Sequence, residues 1–238
     1  MLQNVVLSVV VALVLCVITA VIFWIFKKQK GHSVLLLGIC EAGKTSLFTK
    51  LIHNTDIVSY TSLKENCGAY KTEKRNLNII DVPGHEKVRY ECFRKYKSDL
   101  RALIFLIDSK NIQIELKDVA EYVLFLLMLP LRFLYNVLTD PQIAYGRYKV
   151  LIVCNKQDCT LAKGSVVIRS LLEKELNTLS LTRVGALAGL DPRCVSTPVF
   201  LTKPGSTFTF ATTRIPIDFV ECCVKTDITS VEQWLETI

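Results

Sequence analysis

Three clusters of residues along this chain have the types and spacing that phosphate and purine chemistry require. Gly38-Ile39-Cys40-Glu41-Ala42-Gly43-Lys44-Thr45, with Ser46 following, fits the pattern G-x-x-x-x-G-K-[ST] without deviation. Glycines at both ends let successive backbone N–H groups curl around a β-phosphate, and a helix starting near Lys44 points its positive end at the same anion. Lys44 is placed to bridge the β- and γ-phosphates, and the Thr45 hydroxyl to ligate Mg²⁺. Asp81-Val82-Pro83-Gly84 fits D-x-x-G. An acid at the tip of a strand beside the phosphate loop can hold the Mg²⁺ shell, and the Gly84 amide can approach a γ-phosphate because no Cβ intervenes.

The third cluster, Asn155-Lys156-Gln157-Asp158, is the N-K-x-D pattern. The Asp158 carboxylate can accept from guanine N1–H and the exocyclic amine together, and adenine offers neither donor there, so the pattern favours GTP and GDP over adenine nucleotides. The aliphatic stem of Lys156 is expected to cover one face of the base. Val220-Glu221-Cys222-Cys223-Val224-Lys225 is similar to the E-x-S-A-K loop that closes over a base, with Cys223 and Val224 in place of Ser and Ala. The Val224 backbone amide is the expected contact, and an ordinary strand end is the competing reading. Between the first two clusters, Thr61 is the candidate to place a hydroxyl on Mg²⁺ when a γ-phosphate is present. Ser62 is the alternative, and solvated loop is the competing role for both.

His85 stands directly after D-x-x-G, where quick GTPases of this type carry a Gln that orients the attacking water. A neutral imidazole can accept a hydrogen bond from water but cannot match the planar amide. His85 is therefore the catalytic candidate of a slow hydrolase. Arg89 and Arg94 follow closely; the sequence reads them as a solvated helix face rather than as an arginine finger.

These clusters need strands to hold them. Ser33–Gly38, Leu77–Asp81, Arg101–Asp108 and Tyr148–Cys154 are short apolar runs, each feeding one of the motifs or lying between them. They predict buried parallel strands in an α/β fold. The expected architecture is that of a Ras-like P-loop NTPase: a mostly parallel sheet with helices on both faces and the nucleotide at the strands' C-terminal ends. Val123–Tyr135 is too short to span a bilayer and carries Pro130 and Arg132; it reads as a core helix that ends or kinks near the proline. Thr202–Ala211 suggests a turn and then an alternating, half-exposed strand.

The first residues are of another kind. Val5–Phe26 contains no charged group. As a helix it would span roughly 33 Å, against a hydrocarbon core of about 30 Å. Trp24 lies near its end, as an interfacial aromatic should, and Lys27, Lys28 and Lys30 follow. A cleaved signal peptide would want a basic start, which Met1–Asn4 does not supply. Leu2 does not fit myristoylation, and the final Glu236-Thr237-Ile238 lacks a prenylation cysteine. The expected organisation is a lumenal stub at 1–4, a single membrane span at 5–26, a basic linker at 27–32 and a cytosolic GTP-binding domain at 33–238, oriented by the lysines.

Composition agrees with that division. Half of the 238 residues are hydrophobic, and the mean hydropathy of +0.35 owes much to the first 26 residues. The net charge of +7 suits an anionic membrane surface or an acidic ligand. It forms no basic stripe with interleaved aromatics, so direct nucleic-acid binding is not expected. Nine cysteines, an odd number with no C-x-x-C pair, argue for reduced thiols facing the cytosol, most of them small core residues.

Gly38–Ser46, Thr61-Ser62, Asp81–Glu86, Asn155–Asp158, Ala162-Lys163 and the run Leu172–Leu179, together with the N-terminal span, resemble the β subunit of the signal recognition particle receptor. The resemblance covers essentially the whole chain. It implies an integral endoplasmic-reticulum GTPase with GTP or GDP and Mg²⁺ as cofactors. In the GTP state such a protein holds the receptor α subunit at the membrane for co-translational targeting, beside the protein-conducting channel. The stub before the span, Cys223 and Val224, and the insertion at 181–217 depart from the pattern. An autonomous membrane GTPase and an Arf-like regulator of vesicle traffic are the alternatives. The absence of a self-assembly domain disfavours the first, and the permanent span disfavours the second.

Overall fold

The computed structural model describes residues 13–19, 31–38, 40–55, 64–112, 133–146, 148–188, 201 and 207–238, without the side chains of 86–87 and 181–188. It divides into Met1–Gly31 and His32–Ile238. In the first unit residues 13–19 are helical with exposed apolar side chains. No helix among the described residues is long and apolar enough to cross a membrane. Most of the span expected at 5–26 lies outside them, as does the basic linker up to residue 30.

The second unit is built on a six-stranded sheet among the described residues, of order β2-β3-β1-β4-β5-β6. The strands are β1 (Ser33–Gly38), β2 (Asn66–Lys71), β3 (Asn76–Asp81), β4 (Leu100–Asp108), β5 (Lys149–Asn155) and β6 (Ile217–Glu221). All pairings are parallel except β2 with β3, an edge hairpin in which Asn66 faces Asp81. The helices are α1 (Lys44–His53), α2 (Glu86–Tyr96), α3 (Pro141–Tyr145), α4 (Ser165–Ala188) and α5 (Thr229–Glu236). Residues 133–138 form a further helical stretch.

β1, β4 and β5 are buried along almost their whole length, so their apolar side chains leave by both faces. One face packs Leu35, Leu37, Leu103, Phe105 and Ile152 against α2, α4 and residues 133–138. The other packs Val34, Leu36, Ile104, Leu151 and Val153 against α1 and α5. Each fully buried Leu or Ile contributes roughly 1.5–3 kcal/mol. The expected α/β fold with helices on both faces is what the chain adopts. Of the apolar stretch 123–135, only the last three residues are described; they are helical and buried.

Two expectations fail here. Of the turn and strand expected at 202–211, residues 202–206 lie outside the described residues and 207–211 form no strand. Phe208 and Phe210 are buried while Thr207 is exposed and Thr209 half-buried, but the backbone of the two phenylalanines is satisfied by side chains of α4. Asn177 donates to Phe208 O at 3.0 Å and accepts from Phe208 N–H at 2.6 Å, and Glu173 accepts from Phe210 N–H at 2.8 Å. An amide side chain thus stands in for a neighbouring strand, so the period of two survives without a ladder. The cysteines also divide unevenly. Cys92, Cys154 and Cys222 are buried, whereas Cys16, Cys40 and Cys67 are exposed and Cys159 and Cys223 lie between; Cys194 lies outside the described residues.

Candidate functional site

β1 ends at Gly38, whose φ of 143° belongs to glycine, and an added Cβ would stand 2.5 Å from Leu106 O. The chain then turns through Cys40 and Glu41, the latter at φ 62°, to Gly43 at φ 94°. A Cβ on Gly43 would meet the Asn155 side chain at 2.3 Å. Both glycines are therefore required by close approach, and the loop they bound leads into the first turn of α1. Cys40 and Glu41 are exposed and Ala42 is buried. Ile39 lies outside the described residues, as do Thr61 and Ser62.

Lys44 opens α1 and is 7% exposed. Burial holds its ammonium below the ordinary lysine range against the attraction of Asp81, and the nearby Arg89 cation pushes the same way as burial. Asp81 ends β3 and is 1% exposed. Burial raises its carboxyl above the usual range, opposed by hydrogen bonds from Thr45 and Asn66 and by the Lys44 charge. Its Oδ2 accepts from Thr45 Oγ1 at 2.7 Å and from Asn66 Nδ2 at 3.1 Å. Its Oδ1 is buried with no hydrogen-bond partner. A buried carboxylate oxygen left open, beside a hydroxyl, is a donor set that suits a hard cation with oxygen ligands such as Mg²⁺. Asn66 was not singled out from the sequence. It sits at the start of the hairpin partner of β3, and a strand pairing is not readable from a motif.

Gly84 lies so close to the glycine-rich loop that a Cβ would meet Cys40 Sγ at 2.7 Å and Cys40 N at 2.9 Å. His85 precedes α2 as its N-cap, exposed and without a side-chain cap bond. Arg89, one turn on, corrects the expectation of a solvated helix face: it is 2% exposed, with its guanidinium 4.4 Å from the Phe133 ring centroid. Arg94 is exposed as expected. Arg89 escaped the sequence reading because helical spacing shows a face, and the helical residues 133–138 that cover this one are remote in sequence.

At the far end of the sheet, Asn155 ties two loops together. Its Nδ2 donates to Ala42 O at 2.8 Å and its Oδ1 accepts from Val224 N–H at 3.1 Å. The Val224 amide, expected to face a base, thus bonds to Asn155 here. Lys156 adopts φ 65° and its ammonium lies 2.6 Å from Asp108 Oδ2. Gln157 Nε2 donates to Ser109 Oγ at 3.0 Å and to Lys163 O at 3.0 Å, bracing the approach to α4. Asp158 is exposed. Glu221, at the end of β6, accepts from Ser165 N–H at 2.6 Å and so caps α4; that bond holds its carboxyl below the usual range. The structure therefore brings the glycine-rich loop, Asp81, Gly84, Asn155 and the 221–224 turn to one rim of the sheet, where β1, β3, β4, β5 and β6 all end.

Residues 29–217 match the family described as the signal recognition particle receptor beta subunit. The chain is 38% identical to signal recognition particle receptor subunit beta of Mus musculus, over 98% of this chain and 87% of that protein. It is 30% identical to the Dictyostelium discoideum protein of the same name, over 77% of this chain and 60% of that one. Among solved structures, the mammalian SRP receptor superposes with a TM-score of 0.71 at 35% identity, covering 86% of this chain and 98% of that chain. The Chaetomium thermophilum receptor solved as SRb-GDP-Mg gives 0.62 at 25% identity, covering 89% and 99%.

Proposed function

The chain belongs to the signal recognition particle receptor beta subunit family, and from that premise we propose that it is a membrane-anchored guanine-nucleotide switch that holds the receptor α subunit at the endoplasmic reticulum. The observation that supports this best is the pair of anchors at the sheet's rim. Lys44 is buried at the end of the glycine-rich loop, and Asn155 of N-K-x-D joins that loop, through Ala42 O, to the turn at Val224. Phosphate chemistry and base reading are thereby coupled across one residue.

In this reading Gly38–Ser46 wraps the phosphates and Lys44 neutralises their charge. Thr45 and Asp81 would hold Mg²⁺, with Thr61 or Ser62 completing the shell; the metal would supply neutralisation of phosphate charge. Gly84 gives its amide to the γ-phosphate. Asp158 reads the guanine edge, Lys156 covers the ring, and Val224 closes the far side. His85 faces solvent at the start of α2, where it can bond a water molecule while the sheet stays rigid behind it. Residues 5–26 anchor the protein and 33–238 lie in the cytosol.

The test is a capture experiment with the full chain in detergent, loaded with a non-hydrolysable GTP analogue or with GDP. The receptor α subunit should be retained on the first and released from the second. Equal retention in both states would remove the switch, and no retention in either would remove the partner.

A further inference from the structure

Asp108 carries a network that the nucleotide motifs do not account for. It ends β4 in register with Asn155, the first residue of N-K-x-D, and it is 3% exposed. Four donors converge on its carboxylate. Lys110 N–H reaches Oδ1 at 3.0 Å and Asn111 N–H at 3.4 Å, while Asn111 Nδ2 reaches Oδ2 at 2.9 Å. The fourth is the Lys156 ammonium, 2.6 Å from Oδ2. The side chains differ in exposure, 33% for Lys156 and 4% for Asp108. The acid is thus the fixed, buried end of the pair, and the lysine is its more exposed end.

Lys156 needs such a hold. Its backbone is left-handed, at φ 65°, a conformation that non-glycine residues adopt only when their surroundings impose it. Its four-carbon stem is among the most freely rotating of side chains. A stem that wandered would have to be ordered each time a base arrived.

We propose that Asp108 is a positioning residue for the nucleobase: by pinning the Lys156 ammonium at the end of β4, it lays the lysine stem along the rim as a preformed wall for a purine face. The inference rests on the guanine-nucleotide reading above and extends it to a residue outside the motifs. A wall made of methylenes has no donor or acceptor, so its contribution is blind to the substituents of the ring. Asp158 reads those substituents; Asp108, through Lys156, supplies affinity common to all purines.

The competing role for Asp108 is local, as the acceptor that shapes the turn at 109–112. A double-mutant cycle on the full chain separates the two. Wild type, Asp108→Asn, Lys156→Met and the double variant are titrated with fluorescent GDP, IDP and XDP. Asp108→Asn keeps an acceptor oxygen for the turn but loses the charge on the pair. It should weaken all three nucleotides by a similar factor, about 10-fold. In the double variant, affinity should fall no further than in Lys156→Met alone. Wild-type affinity in Asp108→Asn, a loss confined to GDP, or factors that multiply in the double variant would each overturn the proposal. Should Asp108→Asn fail to fold, Asp108→Glu replaces it in the same cycle, with its displaced carboxylate expected to weaken all three ligands alike. A wild-type chain that binds no guanine nucleotide would sink the underlying reading together with this one, whereas normal wild-type binding with an inert Asp108 would sink this one alone.

Discussion

Asp158 and His85 are both exposed and lie three and four residues beyond the ends of β5 and β3, so each can be changed without opening the core. For Asp158 the argument is complementarity: two donors on guanine against one carboxylate. Asp158→Asn should weaken GDP by roughly 2–4 kcal/mol and move preference towards xanthine nucleotides, whose edge presents an acceptor where guanine presents an amine. Unchanged GDP affinity in a titration would remove the base-reading role. For His85 the argument is what the position lacks. The donor and acceptor nitrogens of an imidazole point to different sides of the ring, so it cannot present both to one water as a glutamine amide does, and single-turnover hydrolysis by the isolated protein should run at roughly 10⁻⁴ to 10⁻² s⁻¹. A rate above about 1 s⁻¹ with no partner, within the range of stimulated GTPases, would argue instead for an autonomous enzyme. If hydrolysis is slow, His85→Leu shows whether the imidazole contributes; an unaltered rate would reduce it to the residue that precedes α2.

At the scale of elements, α4 depends on a residue from another strand. Its first N–H groups have no intrahelical partner, and Glu221 at the end of β6 reaches across to accept from Ser165. The bond depresses the Glu221 carboxyl, so its contribution is present above the ordinary value of 4.5 and is lost as pH falls through the lower folded value. Glu221→Gln should cost about 0.5–1 kcal/mol in urea at neutral pH, the low end for a helix cap because the side chain is exposed. The gap between variant and wild type should close on acidification; a gap constant with pH would mean that packing, not charge, is at work. The same element shows what a sequence can and cannot disclose. Strands β1, β4 and β5 were legible because burial on both faces leaves an uninterrupted apolar run, and Gly38, Lys44, Asp81 and Asn155 because their motifs need fixed spacing. Asn66, Asp108, Glu221 as a cap, and the burial of Arg89 were not. Each depends on a neighbour far along the chain, and pairing across a sheet leaves no local periodicity. Phe208 and Phe210 misled for a related reason, since Asn177 and Glu173 of α4 imitate a strand edge.

Considered whole, the unit His32–Ile238 has its candidate site at the ends of five strands and its C-terminal helix anchored near their beginnings. Trp234 in α5 is 7% exposed and donates to Asp218 Oδ2 at 2.8 Å, near the start of β6. Lys149 at the start of β5 reaches Thr237 O at 2.9 Å. α1, which leaves the phosphate loop, and α5 share one core face with β1, β4 and β5. Unfolding of either should therefore expose the other, which is the condition for a single cooperative transition. A ligand that binds only the folded form stabilises it by about 4.1 kcal/mol at 1,000 times its dissociation constant. For 150–250 residues each kcal/mol moves the midpoint roughly 2–4 °C. GDP with Mg²⁺ at that excess should thus raise the melting temperature by about 8–16 °C. The chain has two tryptophans, and Trp24 belongs to the N-terminal segment, so the fluorescence change on melting should report Trp234. The shift should appear at Trp234 although that residue sits at the opposite end of the strands from the candidate site, and the same concentration of ADP should leave the midpoint where it was. An ADP shift equal to that of GDP would remove guanine selectivity. A shift seen by circular dichroism but not by Trp234 fluorescence would show that α5 melts apart from the sheet, and that the site and the C-terminal helix do not fold as one.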